Sequence, residues 1–389
     1  MTTFAPSTTG LMDVRMLQGA REVASAHWDV LARRGFHLHD WFVAAEDSGW
    51  TPRHVAVKQA GNLRAVVPAY LTDRTTLHDL HDRWLGPLRE LASIAGIDLR
   101  PIISVQLPFA LVSEPLGDAQ AISLDTLHRV FEALEAAAIQ DGAKAVVWPS
   151  VDPGSTSVLK VAEERGYTAV YGGSTARLSV AWKSFDEYVS SRSKSVRRTI
   201  KKDLDGLDSA GLKVETVSHY GTAVPAMTAL FFEAFRQRNG KDAPLPPDFF
   251  GRLALRTSSR IRAQLTWCGT QLVGSSINLN TPELLEGTLS AFCSNHRAGP
   301  AYHNDLCYEP IRMACEEGIA AIDLGATALY TKVLRGARLR RRITLLRGTT
   351  GLRHRTLSAL GAVVARRTEW KERRALGPLW HDDQEEARA

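Results

Sequence analysis

The sequence predicts an α/β protein of two lobes with similar plan, each a mixed, mainly antiparallel sheet flanked by helices, with a basic helix after them. Three observations lead there. Strand-like and helix-like periodicities alternate along the chain with no low-complexity linker between them. A hairpin followed by a helix, an acidic-Gly stop and a β run occurs twice in the same order, at Asp141-Gly142-Ala143 and at Glu317-Gly318-Ile319. The 389 residues also exceed the usual length of one domain by more than twofold.

In chain order, Trp28 to Arg34 and His39 to Asp47 read as helices. Arg53 to Lys58 alternates as a strand, Ala60-Gly61-Asn62 makes a hairpin turn, and Leu63 to Leu71 returns as a second strand. Thr72 to Arg100 has the look of an insertion, and Pro101 to Val112 returns as a strand. Leu127, Val130, Phe131, Leu134 and Ala138 fall at helical spacing within Leu124 to Gln140. The stop at Asp141-Gly142 precedes a buried strand from Ala143 to Trp148, and Ser155 to Arg165 is a further helix. A boundary near Tyr171 to Arg177 divides the chain into residues 1–175, 176–350 and a basic helical tail, 351–389. The second lobe begins with helices over Phe185 to Leu207 and Met227 to Arg238. Strands follow at Ile261 to Trp267, Leu272 to Leu279 and Leu284 to Phe292. Tyr302 to Glu317 reads as one helix and Ile319 to Leu324 as a strand.

Several classes of protein are excluded. The longest apolar run, Leu357 to Ala365, spans nine residues where a membrane helix needs about 20. The polar start, Met1 to Gly10, does not read as a signal peptide, so a cytoplasmic location is expected. Cys268, Cys293, Cys307 and Cys315 form no CxxC pair, and no metal site is expected. There is no GxSxG elbow, no GxxxxGK[ST] loop and no HExxH.

Charge is concentrated. Lys332 to Arg374 holds fourteen Lys/Arg against Glu369 and Glu372, and Arg192 to Lys202 holds six with no acid. A chain of net charge +6 is therefore about −12 outside these tracts, a pattern that suits a polyanionic partner. Val196, Ile200, Leu204 and Leu207 make one apolar stripe, leaving Arg192, Lys194, Arg197, Arg198, Lys201 and Lys202 on the other faces. Arg338, Arg340, Arg341 and Arg342 complete the expected polyanion-binding set.

The strand-hairpin-strand-strand, Gly turn, helix, strand order resembles the GNAT acyltransferase fold. The stretches Ser191 to Lys202, Phe232-Glu233-Ala234-Phe235-Arg236, Cys268 to Gly274, and Asp323-Leu324-Gly325 through Tyr330-Thr331-Lys332 to Arg335-Gly336 resemble the Fem-like branch, two tandem GNAT lobes. His296 to Ala301 is similar to the GNAT [QR]xxGx[GA] pattern, with His296 where Gln or Arg is usual. The resemblance implies an N-acyltransferase acting by direct attack of an amine on an ester or thioester. Aminoacyl-tRNA is the expected donor and acyl-CoA the alternative, with no tightly bound cofactor. It implies Lys332 as the oxyanion cation, and Arg297, Gly299, Arg335 and Gly336 as donor-binding residues. Glu286 and His303 are candidates to take the amine proton. A non-catalytic nucleic-acid-binding module is the rival from another class.

Overall fold

The computed structural model describes residues 12–72, 82–94, 96–117, 122–240, 242–243, 245–256, 260–294 and 299–380. The first lobe starts with β1 (Met12–Leu17), a short α1 (Ser25–Asp29) and α2 (His39–Asp47). Then come β2 (Thr51–Pro52), β3 (His54–Gln59), β4 (Asn62–Val67) and β5 (Ala69–Thr72). The expected hairpin turn is there, with Ala60 and Gly61 both at positive φ, as a two-residue turn between right-twisted strands requires. After α3 (Asp82–Ile94) come β6 (Ile102–Val105), β7 (Leu116–Gly117) and α4 (Leu124–Gln140). Ser123 caps α4 by accepting from the Thr126 N–H, and Gly142 at φ +65° ends it. β8 (Ala145–Val151), α5 (Thr156–Glu164) and β9 (Thr168–Ser179) complete the lobe.

The second lobe contains α6 (Phe185–Ser190), α7 (Lys194–Ser209), β10 (Leu212–Val217), α8 (Val224–Asn239) and α9 (Phe249–Ala254). β11 (Ile261–Cys268), β12 (Gln271–Asn280) and β13 (Leu284–Phe292) follow. The crossover consists of α10 (Gly299–His303), a π turn (Asn304–Tyr308) and α11 (Glu309–Glu317), and leads to β14 (Ala321–Gly325). α12 (Leu329–Leu334), β15 (Arg338–Gly348) and α13 (Gly351–Leu376) end the fold.

Several of the sequence expectations change, among them the helix over Trp28 to Arg34, which is only the short α1, and the strand over Leu63 to Leu71, which divides into β4 and β5 of different sheets. The single helix expected over Phe185 to Leu207 breaks at Ser191–Ser193, where Ser193 caps α7 instead. The helix expected over Tyr302 to Glu317 is interrupted by the π turn. Of Pro101 to Val112, only Ile102–Val105 is strand; Phe109, at φ +57°, turns the rest into a loop that packs on the other lobe. The two strands β9 and β15 were not anticipated, and β9 runs through the expected division between residues 175 and 176.

Those two strands build the molecule. The large sheet has the order β10-β11-β12-β13-β14-β9-β15-β8-β6-β5-β2, beside a four-stranded sheet β1-β3-β4-β7. Each lobe has one parallel pair joined by its helical crossover: β6 with β8 through α4, and β13 with β14 through α10 and α11. The neighbour of β14 is β9, the last strand of the first lobe. The neighbour of β8 is β15, the last strand of the second. The lobes thus exchange their final strands, and β9 and β15 pair with each other at the centre. A shared core seals the exchange, with Trp28, Trp41 and Phe109 from the first lobe packed with Phe249, Leu279 and Leu289 from the second. Each such side chain contributes about 1.5–3 kcal/mol on full burial. Trp41 also satisfies its indole N–H on the Pro108 carbonyl at 2.7 Å.

Candidate active site

In the second lobe β13 and β14 pair over three residues only, ending at Glu286 opposite Asp323, and then part. β13 continues along β12 with a bulge: Thr288 faces Ile277 and Ala291 faces Ser275, leaving Leu289, at φ +49°, and Ser290 unpaired in that ladder. β14 runs into a turn of small residues in which Ala328, also at φ +49°, reverses the chain into α12. The reversal brings Lys332 back over the strand it follows. Its side chain is buried, 3% exposed, and the ammonium donates to the Leu324 carbonyl at the end of β14.

One turn further on, Arg335 is as deeply buried and has a partner at each of its three nitrogens. Nε donates to Tyr308 Oη at 2.8 Å, Nη2 to Asp203 Oδ2 at 2.7 Å and Nη1 to the Thr331 carbonyl at 3.1 Å. Tyr308 in turn donates to Asp203 at 2.5 Å, and Tyr188 donates to the Arg335 carbonyl at 3.0 Å. With its fork spent inside the protein, Arg335 fits a positioning role better than the phosphate contact expected of it. Gly336 sits at φ +98°, and a β-carbon there would lie 2.0 Å from Arg192 Nη1. It makes room for that guanidinium, which stacks 5.1 Å from the Trp182 ring and 5.2 Å from Tyr188.

The two proton-acceptor candidates lie on opposite faces of the sheet. Glu286 pairs in register with Leu279, the residue on which Gly35 of the first lobe packs. Its oxygens are taken by Arg34, at 2.6 and 2.9 Å, and by the Gly35 N–H at 2.9 Å. It holds the lobes together and is not aimed at a substrate. His303 ends α10 on the other side, half-buried, with its Nδ1 enclosed and unpartnered. Burial first, then the Arg335 charge, lowers its pKa against the pull of Asp203, so the ring is neutral at pH 7. Gly299 is the first residue of the five-residue α10; Arg297 and His296 lie outside the described residues.

Behind the turn is an inter-lobe charge network. Arg34 also meets Asp323 at 2.7 Å and Glu114 at 3.2 Å, while Arg342 donates to Asp152 at 2.7 Å and to Thr175 at 3.2 Å. Burial opposes ionisation of Asp323, but Arg34 and Arg342 hold its pKa below the usual carboxylate value. A cavity of about 160 Å³ adjoins the network, walled by Ala326, Arg342, Ser150, the Gly172-Gly173 bulge and Arg367 with Lys371 of α13. It lies beyond the C-terminal ends of β8 and β14, where α/β sheets commonly bind ligands.

The basic tract from Lys332 to Arg374 is therefore not one surface. Lys332 and Arg335 are internal, and Arg338, Arg340 and Arg342 alternate along one face of β15 with Arg177 and Thr175 opposite. Arg341 faces the other way, onto the Tyr171 ring at 5.1 Å and Glu369 at 3.3 Å. On α7, Arg197 donates to the Arg192 carbonyl and Lys201 pairs with Asp205, while Lys194, Arg198 and Lys202 form an exposed row at four-residue spacing. Sequence reasoning passed over Arg34, Asp203 and Tyr308. Asp203 carried a signal: it stands seven residues after Val196 on the buried side of α7, where an acid needs a partner.

A model of the FemAB-like family, described as peptidoglycan biosynthesis/recognition, matches residues 19–347. The chain belongs to the FemAB-like family. As such it is an acyltransferase, built here of two lobes. No curated protein matches the sequence. The crystal structure of FemX is similar to the FemAB-like chain at 11% identity, covering 83% of this chain and 96% of its own, with a TM-score of 0.56. L-PGS from Bacillus licheniformis is similar at 11% identity, covering 82% and 95%, with a TM-score of 0.51. A conserved protein of unknown function from Bacteroides thetaiotaomicron gives 9% identity, 86% and 100%, and a TM-score of 0.51. At such identities these likenesses speak to the fold alone. Among the described residues no helix is long and apolar enough to cross a membrane, and no group of three His, Cys, Asp or Glu could hold a metal ion.

Proposed function

We propose that this FemAB-like protein transfers an aminoacyl or acyl group from an activated ester to an amine by direct attack, with the reacting carbonyl in the opening between β13 and β14. The observation that carries the reading is the composition of that opening: a β-bulge at Leu289 and Ser290 in one wall and the buried Lys332 ammonium at the end of the other. The neutral amine adds to the ester carbonyl, and negative charge collects on the carbonyl oxygen. Bulge N–H groups and the Lys332 cation suit that charge, and one such donor contributes about 3 kcal/mol. The ester oxygen then leaves with the electron pair, and the amine's proton passes to His303, directly or through water, and on to the leaving oxygen. The acceptor enters by the inter-lobe cavity, because the turn at Ala326 borders both cavity and opening.

For the donor we favour aminoacyl-tRNA. The Lys194, Arg198 and Lys202 row lies on α7, which packs on α10 at the head of the crossover, with Gly206 against Pro300. Such a row suits a run of phosphates and reads no base. Turnover is measured with charged tRNA and with acyl-CoA across a salt series, for wild type and for the K194E/R198E/K202E variant. A tRNA donor predicts a log-log salt slope of about −0.7 to −0.9 for each phosphate contacted, made shallower by the variant. Turnover with acyl-CoA alone, indifferent to the variant, would assign the donor to coenzyme A. Salt-sensitive RNA binding with no turnover of either donor would favour a binding module.

A further inference from the structure

α13 uses its two sides differently. Leu357, Gly361, Val364, Ala365 and Leu376 are buried against the sheet and α3, and Thr350 caps the helix at its start. The opposite side exposes large apolar groups: Leu352 is 71% exposed, Val363 53% and Trp370 57%. At about 100° per residue these three lie within roughly 20° of one line along the helix, a line of about 27 Å. Arg355, Arg366, Arg367, Arg373 and Arg374 all lie within about 60° of that line. The two acids of the helix lie off that line: Glu372 is buried, donated to by Tyr171 at 2.6 Å, and Glu369 accepts from Arg373 at 3.0 Å and from Arg341 at 3.3 Å. Arg374 stacks 5.3 Å from the Trp370 ring, cation beside aromatic at the rim of the row.

From this arrangement we infer that α13 is a membrane-docking element whose outer face lies on an anionic lipid surface. The helix sits in the plane of the interface, with Leu352, Val363 and Trp370 in the headgroup boundary and the arginines on lipid phosphates. Long Arg side chains can reach up from a shallow apolar row to the headgroups. A straight apolar line fits a planar surface, and its Leu and Val add nothing to phosphate binding, which sets it apart from the α7 row. One flank of the same helix supplies Arg367 and Lys371 to the rim of the inter-lobe cavity, so docking would bring that cavity close to the membrane. The inference does not depend on the identity of the acyl donor.

The full-length protein is co-sedimented with vesicles of equimolar phosphatidylglycerol and phosphatidylcholine, and with vesicles of phosphatidylcholine alone. Binding is expected only to the anionic vesicles. R355Q/R366Q/R374Q should weaken it by about a hundredfold, and L352S/V363S/W370S by about tenfold or more. Both triples alter exposed side chains, so each should melt with the wild type. The inference is overturned if anionic vesicles do not bind the wild type, or if either triple binds them unchanged. It is equally overturned if the triples lose affinity for tRNA while keeping it for vesicles.

Discussion

Arg34 and Glu286, separated by 252 residues, meet at 2.6 Å in the sealed interior between the lobes. The contact is the centre of a network in which Arg34 serves two acids of the second lobe and Glu114 of its own. Glu286 and Asp323 are also the last residues of β13 and β14 to pair before those strands part. The ion pair therefore stands at the vertex of the proposed donor opening. Its expected effect is to fix the lobes at the place where the opening begins.

Arg34→Met should unfold far more easily than the wild type. It leaves Glu286 and Asp323 buried without their main cation, and breaking a buried pair in that way costs about 3–5 kcal/mol. Chemical denaturation measures it. A loss below about 1 kcal/mol would show that the network does not hold the lobes.

Gly336→Ala should cost about 1–3 kcal/mol, because its φ of +98° strains any side chain. The new methyl also displaces Arg192 from its stacking on Trp182 and Tyr188. The displaced atom is the end of a flexible chain, so strain should dominate. In a double-mutant cycle with Arg192→Ala, most of the loss should persist. A full rescue by removing Arg192 would assign the whole effect to the clash.

Lys332→Ala is expected to lower kcat by about a hundredfold with the fold retained, as loss of one transition-state donor does. Steady-state kinetics and a melting curve separate the cases. A change confined to KM for the donor would make Lys332 a binding residue.

Asp305, in the π turn, accepts from Thr266 at 2.7 Å and from Asn304 at 3.1 Å, yet burial pushes its pKa up to about 6. The unfolded chain loses that proton near the ordinary value of 3.8. Between those pH values the folded state binds more protons, so this group's contribution to stability falls as pH rises. Asp305→Asn removes the loss. Its stability relative to wild type should improve by roughly 2–3 kcal/mol from pH 4 to pH 7. A difference that stays constant with pH would place the titration elsewhere.

Residues with local signatures were legible from the sequence. Ala60-Gly61 announced its turn, Gly142 and Gly318 announced helix stops, and the repeat of those stops announced a doubled α/β lobe. Lys332 was singled out by resemblance, and its burial followed only from the turn at Ala328, which folds α12 back onto β14.

What the sequence alone determined is most of the local helices and strands and the doubling of the α/β lobe, because periodicity, capping and turn chemistry act over a few residues. What only tertiary structure decided is the exchange of β9 and β15 and everything it brings together. In β15 the arginines at 338, 340, 341 and 342 mask the two-residue alternation with charge, and their places become favourable only beside Thr175, Asp152, Glu369 and the Tyr171 ring. Nothing local to Arg34 or Glu114 pointed to a partner, and Glu286, read as a candidate base, proves to be the acid that Arg34 holds across the lobes. A buried charge is stabilised by partners that can be anywhere in the chain, and nothing local to it records where they are.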